Sequence, residues 1–151
     1  MKNLFILLMF AMCLTVNAQN DYILMSRYRP IICVEINGKK EAMLLDTGSE
    51  LNILDKAYKA EKYISKLTAQ STTDNFTLYK VEKTDFKVFG RSVDNFYSAD
   101  LTLMIDNINA STGIKVVGIL GTPAIKELKM VIDVYRGIVT INKNDVAQAD
   151  N

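Results

Sequence analysis

Alternating apolar and polar positions dominate the chain and predict a mostly β fold. The run from Ile31 to Ile36 is β-branched and apolar, and Asn37-Gly38 behind it is a strong signal for a tight hairpin turn. Residues 41–45 return as the second strand of this hairpin. Apolar and charged residues then alternate over residues 76–88, as in half-exposed strands. Further strands are predicted over residues 93–104 and over the buried segment 115–120.

Two stretches have a helical pattern. In residues 55–67 apolar side chains recur every three or four positions, with lysines on the other face, which predicts a helix of about three turns. Pro123 at the first helical position behind a Thr122 cap predicts a short helix ending at Leu128. Residues 106–113 are predicted to form a polar loop, and residues 130–134 and 138–141 a last hairpin. Many short strands with two brief helices indicate a barrel or sandwich.

The first residues have the pattern of a secretory signal. Lys2 precedes an apolar run over residues 4–16, and small residues follow where signal peptidase would cut. The run is too short to span a bilayer as a helix, which takes about 20 apolar residues. We therefore expect a signal peptide over residues 1–18, one domain over residues 19–151, no membrane span, and a periplasmic or secreted protein.

Composition excludes several kinds of chemistry. The chain contains no histidine, which rules out Ser-His-Asp and Cys-His catalysis and leaves carboxylates, lysine or a hard metal. Scattered acidic residues such as Asp100, Asp106 and Asp145 lack the close spacing of a calcium loop, so we expect no metal and no cofactor. Loss of Lys2 leaves 17 basic residues against 17 acidic ones, so nucleic acid is not an expected partner. Cys33 lies in an apolar run and is interpreted as a buried, inert thiol.

Asp46 is the best candidate for chemistry. Leu44 and Leu45 deliver it from a strand into the turn Thr47-Gly48-Ser49. Gly48 permits a close backbone approach, with its amide free to point back at the carboxylate, and the neighbouring hydroxyls add donors. Such donors keep a carboxylate ionised and oriented, as a catalytic base requires. The alternative is a strand-end aspartate that only caps a turn.

The segment Leu44-Leu45-Asp46-Thr47-Gly48-Ser49, followed by Asn52-Ile53-Leu54, resembles the active-site loop of the aspartic proteases. Downstream, Gly118-Ile119-Leu120-Gly121 resembles their second signature, in which Ile119, Leu120 and Gly121 are structural. Each motif occurs once, as in retropepsins and their bacterial relatives, which build one site from two copies. The likeness covers most of residues 31–141 and implies a closed retropepsin-like β-barrel with its active site at a homodimer axis.

This resemblance implies an aspartic endopeptidase. The two copies of Asp46 would flank one water and share a proton, so that one acts as base and the other as acid. Thr47 would form a hydrogen bond across the dimer axis, and Gly48 and Ser49 would hold the outer carboxylate oxygens. The expected substrate is an extended peptide or protein. One departure is the predicted flap segment, residues 69–75, which lacks the usual glycine.

Two alternatives remain open from the sequence. Asp133 is interpreted as a turn or sheet-end carboxylate that accepts backbone N–H bonds, and it is the reserve candidate for a catalytic acid. The chain could also be a non-catalytic module that keeps the fold for peptide or partner recognition, because a fold does not guarantee its chemistry.

Overall fold

The computed structural model describes residues 21–141, except 27, 58–62, 71–74 and 82–84. Twelve strands and two helices lie in the described part of the chain. The strands are β1 (Asp21–Ile23), β2 (Ile31–Ile36), β3 (Lys39–Leu45), β4 (Asn52–Asp55), β5 (Tyr63–Gln70), β6 (Asn75–Val81), β7 (Phe86–Val88), β8 (Arg91–Ser92), β9 (Phe96–Ala99), β10 (Val116–Leu120), β11 (Val131–Asp133) and β12 (Ile138–Thr140). The helices are α1 (Thr102–Thr112) and α2 (Thr122–Glu127). The expectation of a mostly β fold with two short helices is confirmed.

The strands form two sheets. Nine strands follow the order β5-β6-β9-β4-β10-β3-β2-β7-β8, and the other sheet has the order β1-β12-β11. Most neighbours are antiparallel, but β10 runs parallel to β3, and β4 runs parallel to β9. Strands β3 and β4 are consecutive in the chain but are not neighbours in the sheet, because β10 lies between them.

The predicted first hairpin is confirmed. Strands β2 and β3 pair in register from Ile31 opposite Leu44 to Ile36 opposite Lys39. At the turn, Asn37 and Gly38 have φ values of 50° and 76°. Positive φ at both central residues is the condition for the turn that matches the twist of paired strands.

The central strands are buried on both faces. Ile32, Val34 and Met43 belong to a large apolar cluster that also contains residues of the three-stranded sheet and of α2. Ile31 and Ala42, which point the other way, pack with Ile105 and Ile108 of α1 and with Val116. The nine-stranded sheet thus lies between α1 on one side and α2 with the small sheet on the other. This explains why Ile31 and Ile32, and likewise Ala42 and Met43, are apolar on both faces of these strands.

The helix predicted over residues 55–67 is wrong where the structure describes it. Asp55 ends β4, residues 56–57 form a turn, and residues 63–67 belong to β5. Strand β5 pairs with β6 along its length, with Leu67 opposite Leu78 and Gln70 opposite Asn75. Tertiary pairing of this kind overrides a local helical period, which is a weak constraint by itself. Residues 58–62 of the prediction lie outside the described residues.

A second error concerns residues 102–112, which form helix α1 instead of a strand end and a loop. Ile105 and Ile108 are buried, and Leu101 and Met104 pack against the same cluster. The polar residues that suggested a loop occupy the exposed face of the helix. Gly113 ends it in the left-handed conformation with φ 72°.

Other predictions are confirmed or corrected in detail. Val116–Leu120 is a fully buried strand, and β11 pairs with β12 as the predicted last hairpin. Helix α2 is present, but it starts at Thr122, one residue earlier than predicted, so that its N-cap residue is Gly121 and not Thr122. The nine-stranded sheet ends at β5 and β8, and no pairing within the described ranges joins these ends, so barrel closure is not observed.

The predicted signal peptide, residues 1–18, lies outside the described residues. Neither α1 nor α2, the helices of the described part, is long and apolar enough to cross a membrane.

The carboxylate of Asp100, just before α1, makes the stability of the fold depend on pH. Asp100 Oδ1 accepts hydrogen bonds from the backbone N–H and the hydroxyl of Thr102, and Oδ2 accepts one from Lys56. These bonds, with that of Lys56 the largest, lower the pKa of Asp100 from 3.8 to about 2. Because the folded pKa lies below the unfolded one, the stabilisation is complete above about pH 4 and is lost as the pH falls towards 2.

We therefore expect Asp100→Asn to lower the melting temperature at about pH 6, with a difference from wild type that narrows between about pH 4 and pH 2. Thermal unfolding followed by circular dichroism measures this difference. Asp106→Asn removes an exposed carboxylate from the same helix and is the control. A difference for Asp100→Asn that stays constant down to about pH 2 would contradict this role.

Candidate active site

Asp46 follows β3 directly, at the point where the chain leaves the sheet. Its backbone N–H donates to the carbonyl of Leu120 over 3.0 Å, and the N–H of Leu45 before it donates to the carbonyl of Pro30 over 2.8 Å. The backbone is thus held by β10 on one side and by the segment before β2 on the other. A residue fixed in this way has little freedom to move relative to the sheet.

The predicted contact between Gly48 and the carboxylate is confirmed. The N–H of Gly48 donates to Oδ1 of Asp46 over 2.8 Å, and the N–H of Ser49 donates to the backbone carbonyl of Asp46 over 3.2 Å. Asp46 is half-buried, whereas Thr47 and Gly48 are exposed. The loop therefore orients one carboxylate oxygen and leaves the group within reach of solvent or of a bound molecule.

Ser49 has a different role from the one expected. Its hydroxyl donates to the carbonyl of Leu51 over 2.8 Å and accepts from the N–H of Leu51 over 3.3 Å, so it braces the loop and does not contact the carboxylate of Asp46. Its carbonyl accepts from both the N–H and the hydroxyl of Thr122, over 2.8 and 3.1 Å. The Thr122 hydroxyl thus ties α2 to the loop instead of capping the helix.

The second motif lies directly beneath this loop. Ile119 and Leu120 pair with Leu44 and Leu45 of β3, and Ile119 also pairs with Ile53 of β4. Both are buried and apolar, as the sequence predicted. Their pairing brings the end of β10 next to the start of the Asp46 loop.

Gly121 is structural, as predicted, because the loop passes too close for any side chain. A Cβ atom on Gly121 would lie 2.3 Å from the carbonyl oxygen of Leu51 and 2.7 Å from that of Ser49. Gly118 shows the same constraint, with a Cβ 2.2 Å from the carbonyl oxygen of Ile53. Sequence reasoning assigned Gly118 no role of its own beyond its place in the motif.

Asn52 is a residue of this site that sequence reasoning missed. It is 1% exposed, and its Oδ1 accepts the N–H of Gly121 over 3.0 Å. The available signal was a polar side chain at the start of an apolar strand, directly after the loop. Only the fold shows that its partner lies 69 residues further along the chain.

The other sequence candidates lie apart from this hydrogen-bonded loop. Asp133 accepts the N–H of Arg136 at Oδ1 over 2.8 Å and the N–H of Gly137 at its carbonyl, so the turn role predicted for it is confirmed. Cys33 is half-buried, less shielded than expected. No group of three or more acidic, histidine or cysteine side chains suited to a metal ion occurs among the residues described.

The chemistry available to the loop follows from its single oriented carboxylate. Such a group can accept a proton from water or a ligand, because one oxygen is fixed by Gly48 and the other is not engaged by that amide. Peptide hydrolysis also requires a second group that donates a proton to the leaving amine. The loop of one chain therefore supplies one oriented carboxylate.

Gly121→Ala should destabilise the fold, because the new methyl group would overlap the carbonyl oxygens of Leu51 and Ser49. Overpacking of this kind costs roughly 1–3 kcal/mol or more. Gly38→Ala is the comparison, since space is open there and only the positive φ of 76° opposes a side chain. Denaturant unfolding should show a larger loss for Gly121→Ala, and an equal or smaller loss would contradict the close passage of the loop.

Comparison with known proteins assigns no family to the chain. No model of a known protein family matches it, and no curated protein sequence is significantly similar to it. What the chain does is therefore inferred from the residues of the Asp46 loop and from the contacts that hold them.

Proposed function

We propose that the chain is one subunit of an exported, retropepsin-like aspartic endopeptidase, in which Asp46 of two copies activates a single water. The observation that carries the proposal is the hydrogen bond from Gly48 to Asp46 Oδ1 at the end of a buried strand. This bond holds a half-exposed carboxylate in a fixed direction. The backbone beside it is held by the carbonyls of Leu120 and Pro30, which limits movement of the carboxylate relative to the sheet.

The need for a second copy follows from the proton transfers that the reaction requires. Hydrolysis of an amide needs one carboxylate to take a proton from water and another to donate to the carbonyl oxygen and then to the leaving nitrogen. Two carboxylates about 3 Å apart share one proton and provide both functions. The loop supplies one carboxylate of this kind, so a second copy of the chain is the simplest source of the other.

The exposed part of the loop suits such an encounter. Thr47 is exposed at the tip of the loop, next to Asp46, and the proposal assigns its hydroxyl a hydrogen bond across the dimer axis. Ser49 and Thr122 brace the loop from within the subunit. In this arrangement Thr47 connects the subunits, and Ser49 keeps each loop rigid.

An extended peptide is the substrate class that the sheet favours. Strand β5 is an outer strand of the nine-stranded sheet and forms a long antiparallel hairpin with β6. The free edge of such a strand offers backbone donors and acceptors to an added strand. The residues that connect β5 to β6, where the sequence predicted the flap, lie outside the described residues.

We expect Asp46→Asn to reduce hydrolysis of an unfolded protein by roughly 10²- to 10⁴-fold, because the amide cannot take a proton from water. The fold should persist, since asparagine has the same shape and can accept the Gly48 N–H. Cleavage is followed by mass spectrometry and folding by circular dichroism. Asp133→Asn is the matched control and should leave activity per folded chain unchanged, since its carboxylate only braces a turn.

Mixing experiments separate a shared site from a complete one. An excess of Asp46→Asn chains should inhibit the wild-type enzyme, because exchange of subunits produces dimers with one carboxylate. If activity per wild-type chain remains constant in an excess of Asp46→Asn chains after subunits have exchanged, the proposal of a shared site is wrong. A wild-type chain that binds peptides and cleaves none would instead support a non-catalytic binding module.

A further inference from the structure

Asn52 is a buried polar side chain to which the proposed mechanism gives no task. It begins β4 directly after the Asp46 loop and is 1% exposed. A buried amide has two donor hydrogens and an acceptor oxygen, and leaving them unpaired is costly. An apolar side chain would be the simpler choice at the start of a strand whose next two residues, Ile53 and Leu54, are buried.

The amide of Asn52 joins two segments that are distant in sequence. Its Oδ1 accepts from the buried N–H of Gly121 over 3.0 Å, and its Nδ2 donates to the carbonyl of Asp94 over 3.5 Å. The first bond has ordinary length, whereas the second is at the long limit for a hydrogen bond. The bond to Gly121 is therefore the stronger connection.

Gly121 is the middle of three consecutive residues that hold the loop. The carbonyl of Leu120 accepts the N–H of Asp46, and Thr122 donates twice to the carbonyl of Ser49. Asn52 at the far end of the loop holds the residue between them. The start, middle and end of the loop are thus attached to one short stretch at the end of β10.

We propose that Asn52 is a positioning residue, which fixes the height of the Asp46 loop above the end of β10 through its bond to Gly121. Its two hydrogen-bond partners are Gly121 and Asp94, and the carboxylate of Asp46 is neither of them. Its effect on turnover rests on the proposed function, whereas its effect on the loop backbone does not. The two effects can be measured separately.

Removal of the amide should loosen the loop and slow turnover. Asn52→Ala leaves the buried N–H of Gly121 without its acceptor, and the neighbouring bonds to Asp46 and Ser49 lose their common support. A small displacement of a reacting group lowers the rate by up to about 10²-fold, so kcat should fall roughly 10- to 100-fold. KM should change less than about twofold, since Asn52 contacts no substrate.

Amide hydrogen exchange tests the loop directly. In Asn52→Ala the amides of Asp46, Gly121 and Thr122 should exchange at least about tenfold faster than in a control variant that is brought to equal global stability with denaturant. Asp55→Asn is that control, because Asp55 is also buried in β4 and accepts the N–H groups of Ala57 and Leu101 at the other end of the strand. Equal exchange at these three amides in the two variants would overturn the role of Asn52.

A conservative variant distinguishes the two bonds of the amide. Asn52→Asp keeps the acceptor for Gly121 and loses the donor to Asp94, so the amide of Gly121 should stay slower than in Asn52→Ala. Should neither variant fold, native-state exchange of the wild type in increasing denaturant decides the question. The amides of Asp46, Gly121 and Thr122 should then open together, and separate openings would contradict the proposal.

The proposed peptidase function and the proposed role of Asn52 are tested by different measurements, the first by activity and the second by amide exchange. A wild-type chain without any peptidase activity overturns the proposed function and leaves the exchange result intact. Unchanged exchange at the loop overturns the role of Asn52, whatever the activity. A fall in kcat with no change in exchange also counts against positioning.

Discussion

The insertion of β10 between β3 and β4 is the constraint on which the rest of the site depends. Since β3 and β4 are consecutive in the chain but separated in the sheet, residues 46–51 must cross the end of β10. The crossing is so close that Gly121 has no space for a side chain. At the same crossing, the backbone of Leu120 bonds to the start of the loop at Asp46, and that of Thr122 bonds to its middle at Ser49. The same contact therefore restricts the sequence and fixes the carboxylate.

A rigid loop has direct consequences for chemistry. The carboxylate of Asp46 has one oxygen fixed by Gly48, and its backbone is held by Leu120. In the proposed mechanism, little of the reaction barrier would be spent on orienting Asp46 as the base, because the fold already restricts its carboxylate. Precision of this kind is more easily obtained from strands than from a free loop. The exposed tip at Thr47 is where a second copy would meet the first in the proposed dimer.

Sequence reasoning succeeded where the determinants are local. The turn at Asn37-Gly38 and the bond from Gly48 to Asp46 both involve residues no more than two positions apart, so short motifs specify them. It failed for β5, whose helical period is overridden by pairing with β6. For α1, the apolar residues Ile105 and Ile108 have the spacing of a helix, and the polar residues between them obscured it.

The role of Asn52 required the fold itself. Its partner, Gly121, is distant in the chain, and no local pattern links the two. Likewise, a side chain at position 118 is excluded only because β4 passes beside β10, and the sequence does not show this. The sequence therefore identified the carboxylate and its nearest donor, and the structure identified what holds them in place.

The central claim is that one chain contains half of a site, and the stoichiometry of inhibitor binding tests it most directly. A statine-type peptide, whose hydroxyl replaces the attacking water, should be titrated into the wild-type protein in a calorimeter. If Asp46 of two chains forms one site, one molecule should bind for every two chains. Binding of one molecule to every chain, or no binding by a folded protein, would contradict it.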